Sequence, residues 1–181
     1  LVYWTLDAAL QCPELSAVYL CTDSNEIREA VEAYRQSCPI PEKLVCIDRP
    51  EETATDTAST ESVMLYFANQ FTDFSHLVLI QATSPLLTAE DLSGGISMYR
   101  KEEYDSLLSV VRQKRFVWQQ NTQGAESVNY DFNNRPRRQE FDGFLVENGA
   151  FYITKRDLLL KSSCRLSGKI GTYEMAEETY F

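Results

Sequence analysis

The sequence predicts an α/β fold on a doubly wound, mostly parallel but mixed sheet, and three observations predict it. First, short apolar strands alternate with helices between residues 18 and 111, the rhythm of βαβ units with right-handed crossovers. Second, "LVLI" at 77–80 is four aliphatics in a row, as in a strand covered on both faces. Third, that strand stops at Gln81 and passes into Ala82, Thr83, Ser84 and Pro85. A polar cluster at the carboxyl end of such a strand sits where open α/β sheets bind their ligands.

Each element has its own justification. "AVYLCTD" reads as a strand ending in Thr22 and Asp23. In "SNEIREAVEAY", Ile27, Ala30, Val31 and Tyr34 follow the i, i+3, i+4, i+7 spacing of an amphipathic helix, with Ser24 or Asn25 as N-cap. A second helix is expected from about Ala58 to Gln70, with Val63, Phe67 and Phe71 on one face. After the 77–80 strand, "TAEDLSGGISMYRKE" opens with a T-x-x-D capping box from Thr88 to Asp91 and aligns Leu92, Ile96 and Tyr99. "DSLLSVV" is a further strand.

The rhythm breaks at about Arg112. From there to Phe144 there is no helical period, and Phe116, Trp118, Tyr130 and Phe132 are scattered among turn formers such as Gly124, Asn133, Asn134 and Pro136. An insertion projecting from the sheet is the expectation. The sheet resumes at "GAFYIT", followed by a short helix over "KRDLLLK" and a last strand at "GTYEM". "LVYWTLDAAL" at the start begins mid-pattern, with no cap and no strand before it.

With 181 residues, 44% of them hydrophobic, the chain can bury one sizeable core. A net charge of -10 argues against a general nucleic-acid surface, which needs clustered cations. The five cysteines show no CxxC spacing, so neither zinc nor a disulfide framework is expected, and free thiols in a reducing cytoplasm fit better. No apolar run reaches the ~18 residues of a membrane span, and no signal peptide is visible. His76, the only histidine, precedes a strand and reads as structural; without it no Ser-His-Asp set can be built. No G-x-G-x-x-G follows a strand, which disfavours a dehydrogenase.

Three polar clusters follow strands: Thr22 with Asp23, the stretch Arg49 to Thr60, and Gln81 to Ser84. With parallel neighbours they line one rim and form a cleft; taken singly, each is explained by caps and turns. Arg135, Arg137 and Arg138 within "NNRPRRQE" repel one another unless anions lie nearby, and the planar fork of Arg matches carboxylate and phosphate. A solvated loop or a contact between subunits is the plain alternative.

Taken in order, "VYLCTDSNEI", "RPEETATDTAS", "LIQATSPLLTAEDL", "RPRRQ" and "ENGAFYI" resemble the acylneuraminate cytidylyltransferases, or CMP-sialic acid synthetases, from Leu1 to Phe181. "QATSP" and "RPRRQ" look most like the animal-type branch. The resemblance implies a nucleotidyltransferase Rossmann-like domain over 1–181 and an enzyme that joins CTP to a nine-carbon acidic sugar, with Mg²⁺, releasing pyrophosphate. It implies that Arg49 and Thr60 lie around the cytidine and that Gln81, Thr83 and Ser84 form the loop that reaches the sugar. Asn148 and Tyr152 fall on sugar-pocket positions, and Arg138 with Gln139 on an Arg-Gln pair near the sugar and phosphates, the catalytic assignment. Arg165 and Leu166 stand where some members place aromatics. The insertion at 112–144 resembles a dimerisation arm that lends residues to a partner's site, so a homodimer or dimer of dimers is expected. The compartment implied is cytoplasmic, or nuclear in a eukaryote.

Two family features have no counterpart here: a Gly/Ser-rich phosphate loop with basic residues near the start, and an aspartate pair for Mg²⁺ just beyond "EETYF". The expectation is therefore either an ordered part of a longer protein, which is favoured, or a fragment, with no metal ligand nameable and no convincing general base. Two rivals stand beside the synthetase: a sister cytidylyltransferase for 3-deoxy-octulosonate or another nonulosonate, and a non-catalytic nucleotide- or sugar-binding module.

Overall fold

The computed structural model describes residues 1–180, so the expectation for Phe181 lies outside the described residues. Helix α1 (Val2–Gln11) occupies the stretch where no element was expected, because Leu1 at its cap position makes no side-chain cap bond. Burial holds it instead: Leu6, Ala9 and Leu10 are all inside. Lys43 Nζ closes its far end, donating to the carbonyls of Leu10 at 2.9 Å and Cys12 at 2.6 Å.

Strand β1 (Val18–Thr22) leads into α2 (Asn25–Arg35), and of the two candidate caps the helix uses Ser24, whose Oγ accepts from Ile27 N at 3.3 Å. Strand β2 (Leu44–Asp48) pairs parallel to β1, Thr22 opposite Asp48. Helix α3 (Thr60–Gln70) begins after Ser59, slightly later than expected, because the Ser59 hydroxyl accepts from Ser62 N. After β3 (His76–Ile80) comes α4 (Ala89–Lys101) with the expected capping box: Thr88 Oγ1 accepts from Asp91 N at 3.1 Å and Asp91 from Thr88 N at 3.2 Å.

Strand β4 (Ser106–Gln113) runs out to the insertion, which carries the hairpin β5 (Trp118–Asn121) and β6 (Gly124–Ser127). The chain returns as β7 (Phe144–Lys155), then α5 (Arg156–Ser162) and β8 (Ile170–Met175). The main sheet has the order β3-β7-β4-β8 and is mixed. β7 is antiparallel to both β3 and β4, while β4 and β8 are parallel. β4 and β7 are joined by an excursion that goes out and returns, and such a connection permits the antiparallel sense. The β5-β6 hairpin pairs only with itself.

Two cores lie on opposite sides of this sheet. Leu107, Val111, Phe151 and Ile153 pack against Leu92 and Ile96 of α4 and Ala9 of α1. Leu108, Val110 and Tyr152 point the other way, with Leu79 and Leu166. Helix α4 sits close: a Cβ on Gly95 would lie 2.6 Å from Phe151 Cζ, and Phe151 is fully buried. Phe151→Ala should therefore cost about 3–5 kcal/mol in urea melts, since the wall against Gly95 is backbone and cannot collapse far into the void.

Candidate functional site

The three polar clusters follow strands as expected, and what each residue does there differs. Thr22 is a local brace: buried, its Oγ1 accepts from Ser24 N at 3.2 Å. Its carbonyl accepts from Arg49 N at 3.1 Å, tying the ends of β1 and β2 together. Arg28 reaches the same corner, ion-paired with Asp48.

Arg49 extends from that corner. Its guanidinium donates to the carbonyl of Thr53, while its Nε is buried with no hydrogen-bond partner among the described residues. Arg49 and Ala82 both line a cavity of about 880 Å³ that borders β1 and β3. Thr60 is half-buried at the first position of α3.

In the loop after β3, backbone bonds fold the chain twice: Ser84 N donates to the Gln81 carbonyl at 3.3 Å and Leu87 N to the Ser84 carbonyl at 3.2 Å. Thr83 is thereby left exposed and Ser84 buried. Gln81 N donates to the Ala150 carbonyl at 3.1 Å, so the loop is anchored on β7. Above that anchor the Gln81 carboxamide lies over Gly149; a Cβ there would stand 2.7 Å from Gln81 Oε1. Gly149 has φ +71, a conformation that only glycine adopts without strain, and the close approach adds a second reason for glycine. The Gln81 side chain makes no hydrogen bond among the described residues.

Asn148 is otherwise placed. Its Oδ1 accepts from Ser109 Oγ at 2.7 Å, and its Nδ2 donates to Thr179 Oγ1 at 3.0 Å and contacts Met175 Sδ at 3.2 Å. The amide is thus consumed inside the protein. It bridges the register shift between β4 and β7, where Ser109 faces the extra residues 148–151 of β7, to the turn at Glu177–Thr179. Ser109, which the sequence reading missed, is the hub: its hydroxyl also accepts from Phe151 N at 3.0 Å. A lone serine inside "LLSVV" was the available signal.

Tyr152 lies on the opposite face of the sheet from Asn148, within the Leu108 and Val110 cluster. Its hydroxyl donates to Glu147 Oε2 at 2.8 Å, and the Arg165 guanidinium stacks 4.5 Å from its ring centre. Arg165 also pairs with Glu61 at 3.4 Å, and Leu166 packs beside the same tyrosine. Burial, helped by the Glu147 bond, pushes the phenol up to about 12, so it is a neutral donor at any physiological pH.

Arg138 and Gln139 are exposed in the insertion, and the contacts of Arg138 are internal to it: its Nε donates to the Lys114 carbonyl at 3.2 Å. With Arg115, Arg135, Phe116 and Pro136 it surrounds a shallow pocket. Within one chain Arg49 follows β2 and Gln81 follows β3, Tyr152 and Asn148 lie on opposite faces, and Arg138 and Gln139 lie on the insertion.

Over residues 1–180 the chain matches the family model described as Cytidylyltransferase. It is 31% identical over 182 residues to N-acylneuraminate cytidylyltransferase A of Danio rerio, across 98% of this chain and 40% of that protein. To N-acylneuraminate cytidylyltransferase of Oncorhynchus mykiss it is 32% identical over 182 residues, with the same coverage of 98% and 40%. The chain spans about two fifths of the length of these curated relatives. A solved structure of CMP:2-keto-3-deoxy-manno-octonic acid synthetase complexed with CTP shares the fold, with TM-score 0.64 and 17% identity over 97% of this chain and 78% of that one.

Gly149→Ala should lose about 1–2 kcal/mol from the left-handed backbone alone, plus the clash with Gln81. In a double-mutant cycle read by urea melts, Gln81→Ala should recover the clash portion and leave the backbone portion. For Tyr152, a folded pKa raised above the ordinary value of about 10 means a stabilising contribution that is whole below pH 10 and fades as pH climbs to about 12. The stability gap between wild type and Tyr152→Phe, followed by denaturant melts, should narrow across that window.

Proposed function

The chain belongs to the cytidylyltransferase family, and from that premise we propose that it forms the substrate-binding body of an enzyme joining CTP to a nine-carbon acidic sugar, N-acetylneuraminate or a close relative. The products are the CMP-sugar and pyrophosphate. One observation carries the reading: Arg49, whose buried Nε has no partner among the described residues, follows the carboxyl end of β2, and Gln81, whose carboxamide lies over Gly149, follows that of β3.

Each residue then has a task. Arg49 and Thr60 hold the cytidine side, while Gln81 and Thr83 meet the sugar and Ser84 shapes their turn. Asn148 supports that wall from within. Tyr152, neutral and fixed by Glu147, shapes the floor on the other face. Arg138 and Gln139 neutralise anionic groups; because they sit on the insertion, they serve a rim across a dimer interface. The insertion offers a suitable surface, with Trp118, Phe132 and Phe144 about half exposed and Phe116 packed on Tyr130 and Phe141. A homodimer, or a dimer of dimers, follows.

Mg²⁺ accompanies CTP in this reading. Among the described residues no three His, Cys, Asp or Glu side chains gather to hold a metal, so these residues do not fit such a site. Positioning and charge neutralisation are what this chain's own residues supply. No helix of the described residues is long and apolar enough to cross a membrane, and all five cysteines are free. Both features suit the cytoplasm, which we take as its compartment, or the nucleus in a eukaryotic cell.

The deciding assay incubates the full-length protein with CTP, Mg²⁺ and N-acetylneuraminate and follows pyrophosphate release beside a no-sugar control. Release that depends on the sugar is the expected result. Preference for 3-deoxy-octulosonate would move the assignment to the sister activity, and no release with any acidic sugar from folded protein would leave a binding module. In the same assay Arg138→Ala should lower turnover at least about tenfold with the fold intact. Phe116→Asp combined with Trp118→Asp should shift the sedimentation profile from dimer to monomer.

A further inference from the structure

The insertion leaves the main sheet at Gln113 and re-enters it at Phe144, which face each other as the last rung between β4 and β7. Just beyond that rung the two passes of the chain almost touch. Gly143 has φ +77, and a Cβ there would stand 2.5 Å from the Gln113 carbonyl oxygen, so the returning pass admits only glycine. Further out there is no polar tie to the body: among the described residues no hydrogen bond or ion pair joins residues 114–141 to the remainder of the chain. The direction of the insertion is therefore decided at its base.

Arg112 ties three segments together there. It belongs to β4, its Nε and Nη2 donate to the two carboxylate oxygens of Glu174 on β8 at 2.9 and 2.7 Å, and its Nη1 donates to the Asp142 carbonyl at 3.0 Å. Glu174 lies opposite Val110, two residues before Arg112 on the same face of β4, so the fork reaches it diagonally. The bond to Arg112 holds the Glu174 carboxyl below its usual range, and the pair stays ionised at any physiological pH. Both side chains are partly exposed, and an ion pair so wetted stabilises a fold little. What a planar fork gripped at two points supplies is direction. With Glu174 fixing the plane of the guanidinium, its remaining edge holds the peptide that precedes Gly143.

A short path leads from this grip to Arg138. Lys114 follows Gln113 on the outgoing pass, and its carbonyl accepts from Arg138 Nε at 3.2 Å. Arg138 is thus fastened to one side of the base while Arg112 secures the other. We propose that Arg112, locked by Glu174, is a positioning residue: through the Asp142 carbonyl it sets the angle at which the insertion leaves the sheet, and with it the place where Arg138 meets anionic substrate, an inference that rests on the part assigned to Arg138 in cytidylyl transfer. The grip also refers the insertion to the body's own site. Glu174 immediately precedes Met175, whose Sδ contacts the Asn148 amide at 3.2 Å, so the strand end that orients the insertion is the one that braces the wall behind Gln81.

The test uses the full-length protein. Arg112→Glu combined with Glu174→Arg keeps an ion pair between β4 and β8 but leaves no donor at position 112 for the Asp142 carbonyl. In the sugar-dependent pyrophosphate assay this reversed pair should lower turnover at least about fivefold, with the KM for CTP and the urea midpoint unchanged. In an Arg138→Ala background the same exchange should lower turnover no further, because both changes act through one group. Recovery of wild-type turnover by the reversed pair would overturn the proposal, since a strand-to-strand ion pair would then suffice, and so would a loss that multiplies with that of Arg138→Ala. Residual dipolar couplings read the orientation without activity: amides of β5 and β6 should share one alignment frame with the main sheet in the wild type and depart from it in the reversed pair. A shared frame in both proteins would overturn the proposal. Absence of sugar-dependent release from the wild type would instead overturn the enzymatic reading.

Discussion

Everything else in this molecule depends on β7 being hydrogen-bonded along both edges. Of its twelve residues, Phe144–Lys155, those at 151–155 pair with β3 and those at 144–147 and 152–154 with β4, so 152–154 are paired on both edges. Phe151 to Thr154 are fully enclosed as a result, and their alternation supplies one aromatic to each core, Phe151 toward α4 and Tyr152 toward Leu79. The same strand fixes the rim, since Ala150 anchors Gln81 and Gly149 makes room for its carboxamide. It also roots the insertion: Phe144 lies opposite Gln113, and Arg112 clamps Glu174 of β8 through two bonds of 2.9 and 2.7 Å while donating to the Asp142 carbonyl.

The bulge in β7 opposite Ser109 of β4 shows how a polar group is accommodated inside such a sheet. Ser109 has no ladder partner on β7 at the register shift, so its hydroxyl substitutes, accepting from Phe151 N and donating to Asn148. The Asn148 amide then ties the bulge to Thr179. Every member is satisfied, which is the condition under which a buried polar network rigidifies instead of destabilising. An asparagine so occupied can shape a sugar-binding wall but has little left with which to bind sugar.

Much of the fold was legible because strong local signals agreed with it. The capping box at Thr88, the helical spacing around Val31 and the aliphatic run at 77–80 all fold as read. Helix α1 was not, since it lacks a cap and is held by Leu6, Leu10 and the distant Lys43. The antiparallel sense of β7 with both neighbours depends on where the excursion returns, which no local pattern encodes. The candidate site was legible only as residue types. That Gln81 is free, Asn148 spent and Tyr152 on the far face follows from bulges and pleats, not from spacing along the chain.

Charge separates the insertion from the body that carries it. The chain has a net charge of -10, and in the body several cations pair with acids, as in Arg28 with Asp48, Lys155 with Asp105 and Arg165 with Glu61. Arg135, Arg137 and Arg138 form no ion pair among the described residues, although carboxylates are in surplus. Arg135 instead stacks 4.4 Å over Phe116. Such a contact contributes only about 0.5–1 kcal/mol at an exposed site, too little to explain three neighbouring cations on folding grounds. Exposed like charges also repel weakly, by about 1 kcal/mol at contact distance in water, so the cluster is tolerated without being needed. Folding therefore tolerates this cluster without using it, which is consistent with the role proposed for Arg138 above.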